Sequence, residues 1–154
     1  MRVVLTVLLL VGCKSEHDDR QASPTPVPSA WVEVDPSEVL TAVLEDEAGA
    51  AIKAGKKPHA YLHADWCPPC VAIEKTRTDP TMVAAFASTH IIAIDVDHID
   101  NGQIIRAGMS TSTIPIFFRL DDNGRPTGAS LDGDAWGENV PAKMAPSLTA
   151  FFAR

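Results

Sequence analysis

The stretch Cys67-Pro68-Pro69-Cys70 constrains this 154-residue chain more than any other. An apolar run, His59 to Leu62, leads into it, and a helix-compatible run, Val71 to Arg77, leads out. The two cysteines therefore fall where a buried strand ends and a helix begins. A helix N-terminus carries unpaired N–H groups and a partial positive charge, which favour thiolate over thiol. Two intervening residues bring both sulfurs onto one turn, close enough to form a disulfide and reopen it. With Trp66 ahead of the first cysteine, the spacing reads as a redox dithiol.

Other chemistries fit poorly. Zinc would need more ligands than the two cysteines. His59 and His63 are four apart on a strand, so they stand about 13 Å apart along it, and there is no second Cys-x-x-Cys. Haem attachment needs a histidine after Cys70, where Val71 stands. The acidic stretch Asp95 to Gly102 fails the EF-hand pattern, with Ile99 at a ligand position and Arg106 where the closing Glu belongs. It reads as a strand-end loop. No Gly-rich phosphate loop appears, so no metal and no cofactor is expected. A net charge of −7 argues against a nucleic-acid partner.

The N-terminus is of a different kind. Met1-Arg2 is a minimal basic start, Val3 to Val11 is a short apolar stretch, and small residues follow. That pattern reads as a secretion signal, too short for the roughly 18–20 residues of a spanning helix. Leu10-Val11-Gly12-Cys13 resembles the bacterial lipobox, in which cleavage precedes a cysteine that then carries lipid. The resemblance implies residues 1–12 as signal peptide and Cys13 as the lipidation site; the plainer alternative is an ordinary secretory signal. Removing residues 1–12 takes away Arg2 and leaves a charge of −8 (−7 minus one). Lys14 to Ala30 is polar and then Pro-rich, with Pro24, Pro26 and Pro28 between small residues. It reads as a flexible tether, 13–30 with the anchor, that extends up to about 50 Å. The folded domain is expected over 31–154, and 45% hydrophobic residues suffice for its core.

Within that domain Trp31 to Val34 alternates as a short first strand. Asp35-Pro36-Ser37-Glu38 predicts a helix start, with Asp35 as N-cap, followed by Val39, Leu40, Val43, Leu44 and Ile52 at helical spacing and closed by Gly55. Lys56 and Lys57 read as a solvated face near that end. His59 to His63 is a central strand and residues 68–77 a helix. Asp79-Pro80 opens another over 80–88, with Met82, Val83 and Phe86 inward. His90 to Val96 is apolar and β-branched, as a strand buried on both faces should be. A short helix over Gln103 to Met109, a strand over Ile114 to Leu120, a turn at Asp121 to Gly124, an edge strand over Pro126 to Leu131 and a helix over Pro141 to Phe152 complete the order. The last carries Met144, Leu148, Phe151 and Phe152 inward. Strands alternating with helices, then a hairpin and a helix, predict an α/β fold with a mixed sheet covered on both faces.

This order, with Trp66-Cys67-Pro68-Pro69-Cys70 after the second strand and Thr113-Ile114-Pro115 before the fourth, resembles thioredoxin over roughly 31–154. It is most similar to periplasmic thioredoxin-like domains related to the C-terminal domain of the DsbD-type disulfide reductase. Gly55-Lys56-Lys57-Pro58, Ala64-Asp65-Trp66-Cys67, and Glu74-Lys75-Thr76 before Asp79-Pro80 carry that second likeness. The resemblance implies Cys67 as the attacking cysteine, exposed at the helix tip, and Cys70 as the more buried resolving cysteine. It implies Pro115 as a cis-proline facing the disulfide, Ile114 as the backbone that pairs with substrate, Trp66 beside the disulfide, and Gly133 where a loop nears the site. The alternative for Pro115 is an ordinary edge-strand proline, and for Trp66 core packing alone.

Two departures stand out. Thioredoxin carries a buried carboxylate six residues before the first cysteine, and here that position is Tyr61, a poor base at neutral pH. Asp65, Glu74 and His63 are the candidates to accept the proton of Cys70, with His63 also readable as structural. Pro68 and Pro69 lack N–H groups, so a Cys67 thiolate keeps mainly the Cys70 N–H and the helix dipole. That tuning favours a reductant. The expected protein is an extracytoplasmic, lipid-anchored thiol-disulfide oxidoreductase on the periplasmic side of a bacterial membrane. Its partners would be protein disulfide substrates and a membrane electron donor. The alternatives are an oxidase or isomerase, or a binding module with a fixed disulfide.

Overall fold

The structure, a computed structural model, describes residues 27–110 and 112–154. The signal, Cys13 and nearly all of the tether fall outside the described residues. The elements are β1 (Ala30–Glu33), α1 (Leu40–Lys53), β2 (Lys57–His63), α2 (Pro68–Thr76), α3 (Pro80–Ala85), β3 (Thr89–Asp95), α4 (Asn101–Arg106), β4 (Ile116–Leu120), β5 (Pro126–Asp132), a 3-10 turn (Gly133–Ala135) and α5 (Pro141–Phe152). The sheet order is β1-β3-β2-β4-β5. β1 and β2 run parallel to β3, β4 is antiparallel to β2, and β5 is antiparallel to β4. This is the mixed sheet that the alternation of patterns predicts.

Alternation along β2 divides the core. Ala60 and Leu62 face Leu40, Leu44, Ile92 and Ile104, under α1 and α4. Tyr61 faces the other way, among Ile73, Met82, Phe86, Phe117, Met144 and Phe152, under α2, α3 and α5. Trp31 closes this second layer edge-on to Tyr61 and Phe86, with the Arg77 guanidinium 4.0 Å above its ring. The chain enters at the opposite end of the strands from the cysteines. There the Val27 N–H donates to Ser88 Oγ at 3.1 Å and the Ser88 N–H to the Val27 carbonyl at 2.6 Å.

Several local expectations need correction. α1 starts at Leu40, not after Asp35. Asp35 Oδ1 accepts from the Ser37 N–H and hydroxyl at 2.8 and 2.7 Å, so its capping capacity closes a separate turn. The helix start is satisfied from across the fold, by Gln103 Oε1 on the Leu40 N–H at 3.0 Å. The buried stripe of α1 is Leu40, Leu44, Ala48 and Ala51, while Val39 and Ile52 are exposed. Val83 also faces outward, and Met82, Ala85 and Phe86 are the buried positions of its segment. Lys57 is no plain solvated charge. Its Nζ donates to the carbonyls of Phe152, Ala153 and Arg154 at 3.1, 2.9 and 3.2 Å, at the C-terminus of α5.

Two glycines of this frame differ in what they tolerate. Gly124 has φ +74, and a Cβ there would run into the Leu44 carbonyl. Gly49 lies within α1 with nothing within 4 Å of a Cβ. Gly124→Ala should therefore destabilise by about 2 kcal/mol or more, and Gly49→Ala should stabilise by about 0.5–1 kcal/mol. Denaturant midpoints of the two variants check both signs.

His59 makes stability depend on pH. It is fully buried, with ring centroids 5.7 and 4.7 Å from Phe151 and Phe152. Nδ1 donates to the Lys57 carbonyl at 3.0 Å, and Nε2 has no partner among the described residues. Burial lowers its pKa to about 4, helped by the charges of Arg119 and Lys57 and opposed by the Lys57 carbonyl. The unfolded chain thus takes the proton first as pH falls. The contribution is complete above the ordinary imidazole range and is lost between about pH 6.5 and 4, worth at most about 3 kcal/mol. His59→Leu should flatten that acid limb, measured as the fall in denaturant midpoint from about pH 7 to about pH 4.5 relative to the unsubstituted protein.

Candidate active site

β2 ends at His63, and Ala64-Asp65-Trp66 carries the chain onto α2. Cys67 is the N-cap of α2, with extended φ −83 and ψ 110. Pro68 and Pro69 take the first two helical positions, where an N–H has no intrahelical partner anyway. The Val71 N–H closes the first turn on the Cys67 carbonyl at 3.0 Å. The first main-chain N–H aimed back at the cap is that of Cys70, 3.3 Å from Cys67 Sγ. Cys67 and Cys70 are joined as a disulfide with Cα atoms 5.2 Å apart. When the bond opens, this N–H and the helix dipole are what α2 offers a Cys67 thiolate.

The opposite wall comes from the approach to β4. The Ile114–Pro115 bond is cis. Ile114 packs against the buried cluster of Ala64, Cys67 and Cys70, together with Val96. The Gly133 N–H donates to the Pro115 carbonyl at 3.1 Å, and a Cβ at 133 would stand 3.1 Å from Pro115 Cδ. The loop therefore approaches the site where a glycine allows it.

Two side chains differ from expectation. Cys67 is 2% exposed and Cys70 1%, so the first cysteine is not the exposed member of the pair. Ala64 clusters with both cysteines, and Val96 and Ile114 pack against that cluster. Trp66 does not pack into this cluster. It is 66% exposed, and its indole N–H donates to Asp97 Oδ2 at 2.7 Å, which holds the ring on the rim.

Behind the site lies a polar cavity of about 350 Å³, lined by Glu33, His63, Asp65, Glu74, Asp95 and His98 among others. It brings together the three candidate proton acceptors, His63, Asp65 and Glu74. Glu74 Oε2 accepts from Arg77 at 2.8 Å, and Oε1 is buried without a partner among the described residues. The Tyr61 hydroxyl is also buried, with no partner among the described residues. Burial, then the charges of Glu74 and Glu33, push its pKa well above the usual phenol value against the pull of Arg77. Tyr61 is therefore no base. Sequence reasoning did not single out Glu33, and weighed Asp95 only as part of an acidic strand-end loop. Both stand at the C-terminal ends of parallel strands, the sheet edge that also leads to Cys67, and that placement was the available signal. Among the described residues no three or more His, Cys, Asp or Glu side chains are placed to hold a metal ion, and no helix is long and apolar enough to cross a membrane.

No protein-family model and no curated protein matches the sequence. Solved structures do match. A disulphide isomerase from Xylella fastidiosa aligns at TM-score 0.55 and 19% identity, over 78% of this chain and 93% of that one. The thioredoxin pre-protein of Schistosoma mansoni aligns at TM-score 0.50 and 18% identity, over 79% and 98%. The chain has the thioredoxin fold. Spinach chloroplast thioredoxin f also aligns, at TM-score 0.50 and 14% identity, over 82% and 96%. At these identities the likeness carries the arrangement of the sheet and helices.

In this thioredoxin-fold domain the donors facing Cys67 decide how acidic its thiol can be. With one main-chain N–H in place and two prolines where others would be, the Cys67 thiolate of the reduced protein should be largely protonated at about pH 5. Its ultraviolet thiolate absorbance, followed against pH, checks this. Absorbance persisting undiminished at about pH 5 overturns it.

Proposed function

We propose that the chain is a thiol-disulfide oxidoreductase that reduces protein disulfides. The observation that carries this reading is the Cys67–Cys70 disulfide at the first turn of α2, with the Cys70 N–H directed at Cys67 Sγ and Ile114 packed against the cysteine cluster. The Cys67 thiolate attacks a substrate disulfide; one sulfur–sulfur bond forms and one breaks, and the released thiolate takes up a proton. Cys70 then loses its proton and attacks Cys67. The mixed disulfide breaks, and the second substrate sulfur leaves as a thiol. The substrate gains two electrons and two protons, and Cys67–Cys70 is left oxidised. Trp66, Ile114 and Pro115 are the residues this reading assigns to contact with an extended substrate.

The direction follows from the tuning. Pro68 and Pro69 deprive a Cys67 thiolate of donors, so the reduced form is not strongly stabilised and the dithiol gives electrons readily. A membrane electron donor would restore it. The N-terminal pattern supports export, a lipid on Cys13 and a tether that holds the domain on the periplasmic side of a bacterial membrane. The burial of both sulfurs favours a second reading, a lipoprotein binding module whose disulfide stays closed.

Cys70→Ala separates the two. An exchanging enzyme with that substitution should accumulate partner proteins in mixed disulfide on Cys67, visible as bands lost on reduction. No trapped partner, with Cys67 free after purification under alkylating conditions, would leave the binding module.

A further inference from the structure

Closing the disulfide requires Cys70 to give up a proton inside a cluster that excludes solvent, and opening it requires the proton back. On β2, six residues before Cys67, stands Tyr61, whose hydroxyl has no partner among the described residues. Two residues on, and on the same face of the strand, stands His63. Its ring stacks on Tyr61 with centroids 5.0 Å apart and planes 12° apart. It directly precedes Ala64, which shares a buried cluster with both cysteines. It is 8% exposed, yet it lines the polar cavity.

We propose that His63, oriented by Glu33, holds the proton that Cys70 releases on disulfide formation and recovers on reduction. This rests on the thiol-exchange reading above. Nε2 lies 3.4 Å from Glu33 Oε2, so the carboxylate takes the Nε2–H and leaves Nδ1 as the basic atom. Glu33 comes from β1, Asp95 from β3, and Glu74 with Arg77 from α2, while Asp65 and His98 stand on the cavity rim. Asp95 is itself engaged, with Oδ2 2.8 Å from His98 Nδ1. Burial disfavours the imidazolium, but the hydrogen bond and charge of Glu33 and the charges of Asp95 and Glu74 outweigh it, and the pKa of His63 is raised. In the second step Cys70 transfers its thiol proton to His63 Nδ1, and the Cys70 thiolate attacks Cys67 Sγ. The two substrate thiolates take up protons from solvent, and Nδ1 keeps the Cys70 proton while the disulfide stays closed. In total one dithiol and one substrate disulfide become one Cys67–Cys70 disulfide and two substrate thiols.

The test is the pH profile of the Cys67–Cys70 reduction potential in glutathione buffers, for the unsubstituted protein, His63→Gln, Glu33→Gln and Glu74→Gln. The slope of potential against pH should break above the ordinary imidazole range in the unsubstituted protein. His63→Gln should abolish that break, Glu33→Gln should move it to lower pH, and Glu74→Gln should keep it. Closure of a small-thiol mixed disulfide on Cys67 should slow by about tenfold or more in His63→Gln near neutral pH. A break unchanged in His63→Gln, or lost only in Glu74→Gln, overturns the proposal. Should His63→Gln fail to fold, the direction of the Glu33→Gln shift decides alone. The potential is read against glutathione, so it tests His63 even if the Cys70→Ala variant traps no partner.

Discussion

The position of β2 between β3 and β4 is the constraint on which the other features rest. Its seven residues pair in parallel with Thr89 to Asp95 along one edge, and residues 59–62 pair in antiparallel with Ile116 to Arg119 along the other. A strand bonded on both edges cannot slip by one residue without turning Tyr61 into the α1 layer and Leu62 into the α2 layer. That register places His63 at the sheet end and starts α2 directly beyond it. The same pairing to β4 carries Ile114 and Pro115 to the cysteines. The site is therefore a product of sheet register, and its two walls come from residues nearly fifty apart in sequence.

Much of this was legible from residue order. The strand-helix alternation, the double-sided burial of β3, the edge placement of β5 and the α5 stripe of Met144, Leu148, Phe151 and Phe152 all follow from periodicity and turn residues. The cysteine pair at a strand-to-helix junction was legible for the same reason. What stayed hidden depends on contacts between distant segments. Asp35 has every local mark of an N-cap, yet α1 takes its cap from Gln103 on another helix. Lys57 looks like a surface charge beside Lys56, but it reaches the last carbonyls of a helix almost a hundred residues later. Local pattern can name a capping residue; it cannot show which helix that residue serves.

The site divides along the same line. Spacing placed Cys67 on α2 and Trp66 beside it, but spacing carries no information about what covers a sulfur. The cluster that holds Cys67 is packed by Val96 and Ile114, which come from β3's exit and β4's approach. Trp66 is drawn to Asp97 on a neighbouring loop and so leaves the cluster. The cavity of Glu33, His63, Glu74 and Asp95 is assembled from three strands and a helix, and no window of sequence contains it.

The entry of the chain beside Ser88 has an orientational meaning. β1, β2 and β3 are parallel, so Val27 and the start of every one of these strands lie at one pole, and Cys67 lies at the other, beyond a strand about 20 Å long. Anything that fastens the protein through residues upstream of Val27 therefore grips it by the far pole. The sulfurs lie at the pole away from that grip, and the fold itself would serve as part of the spacer.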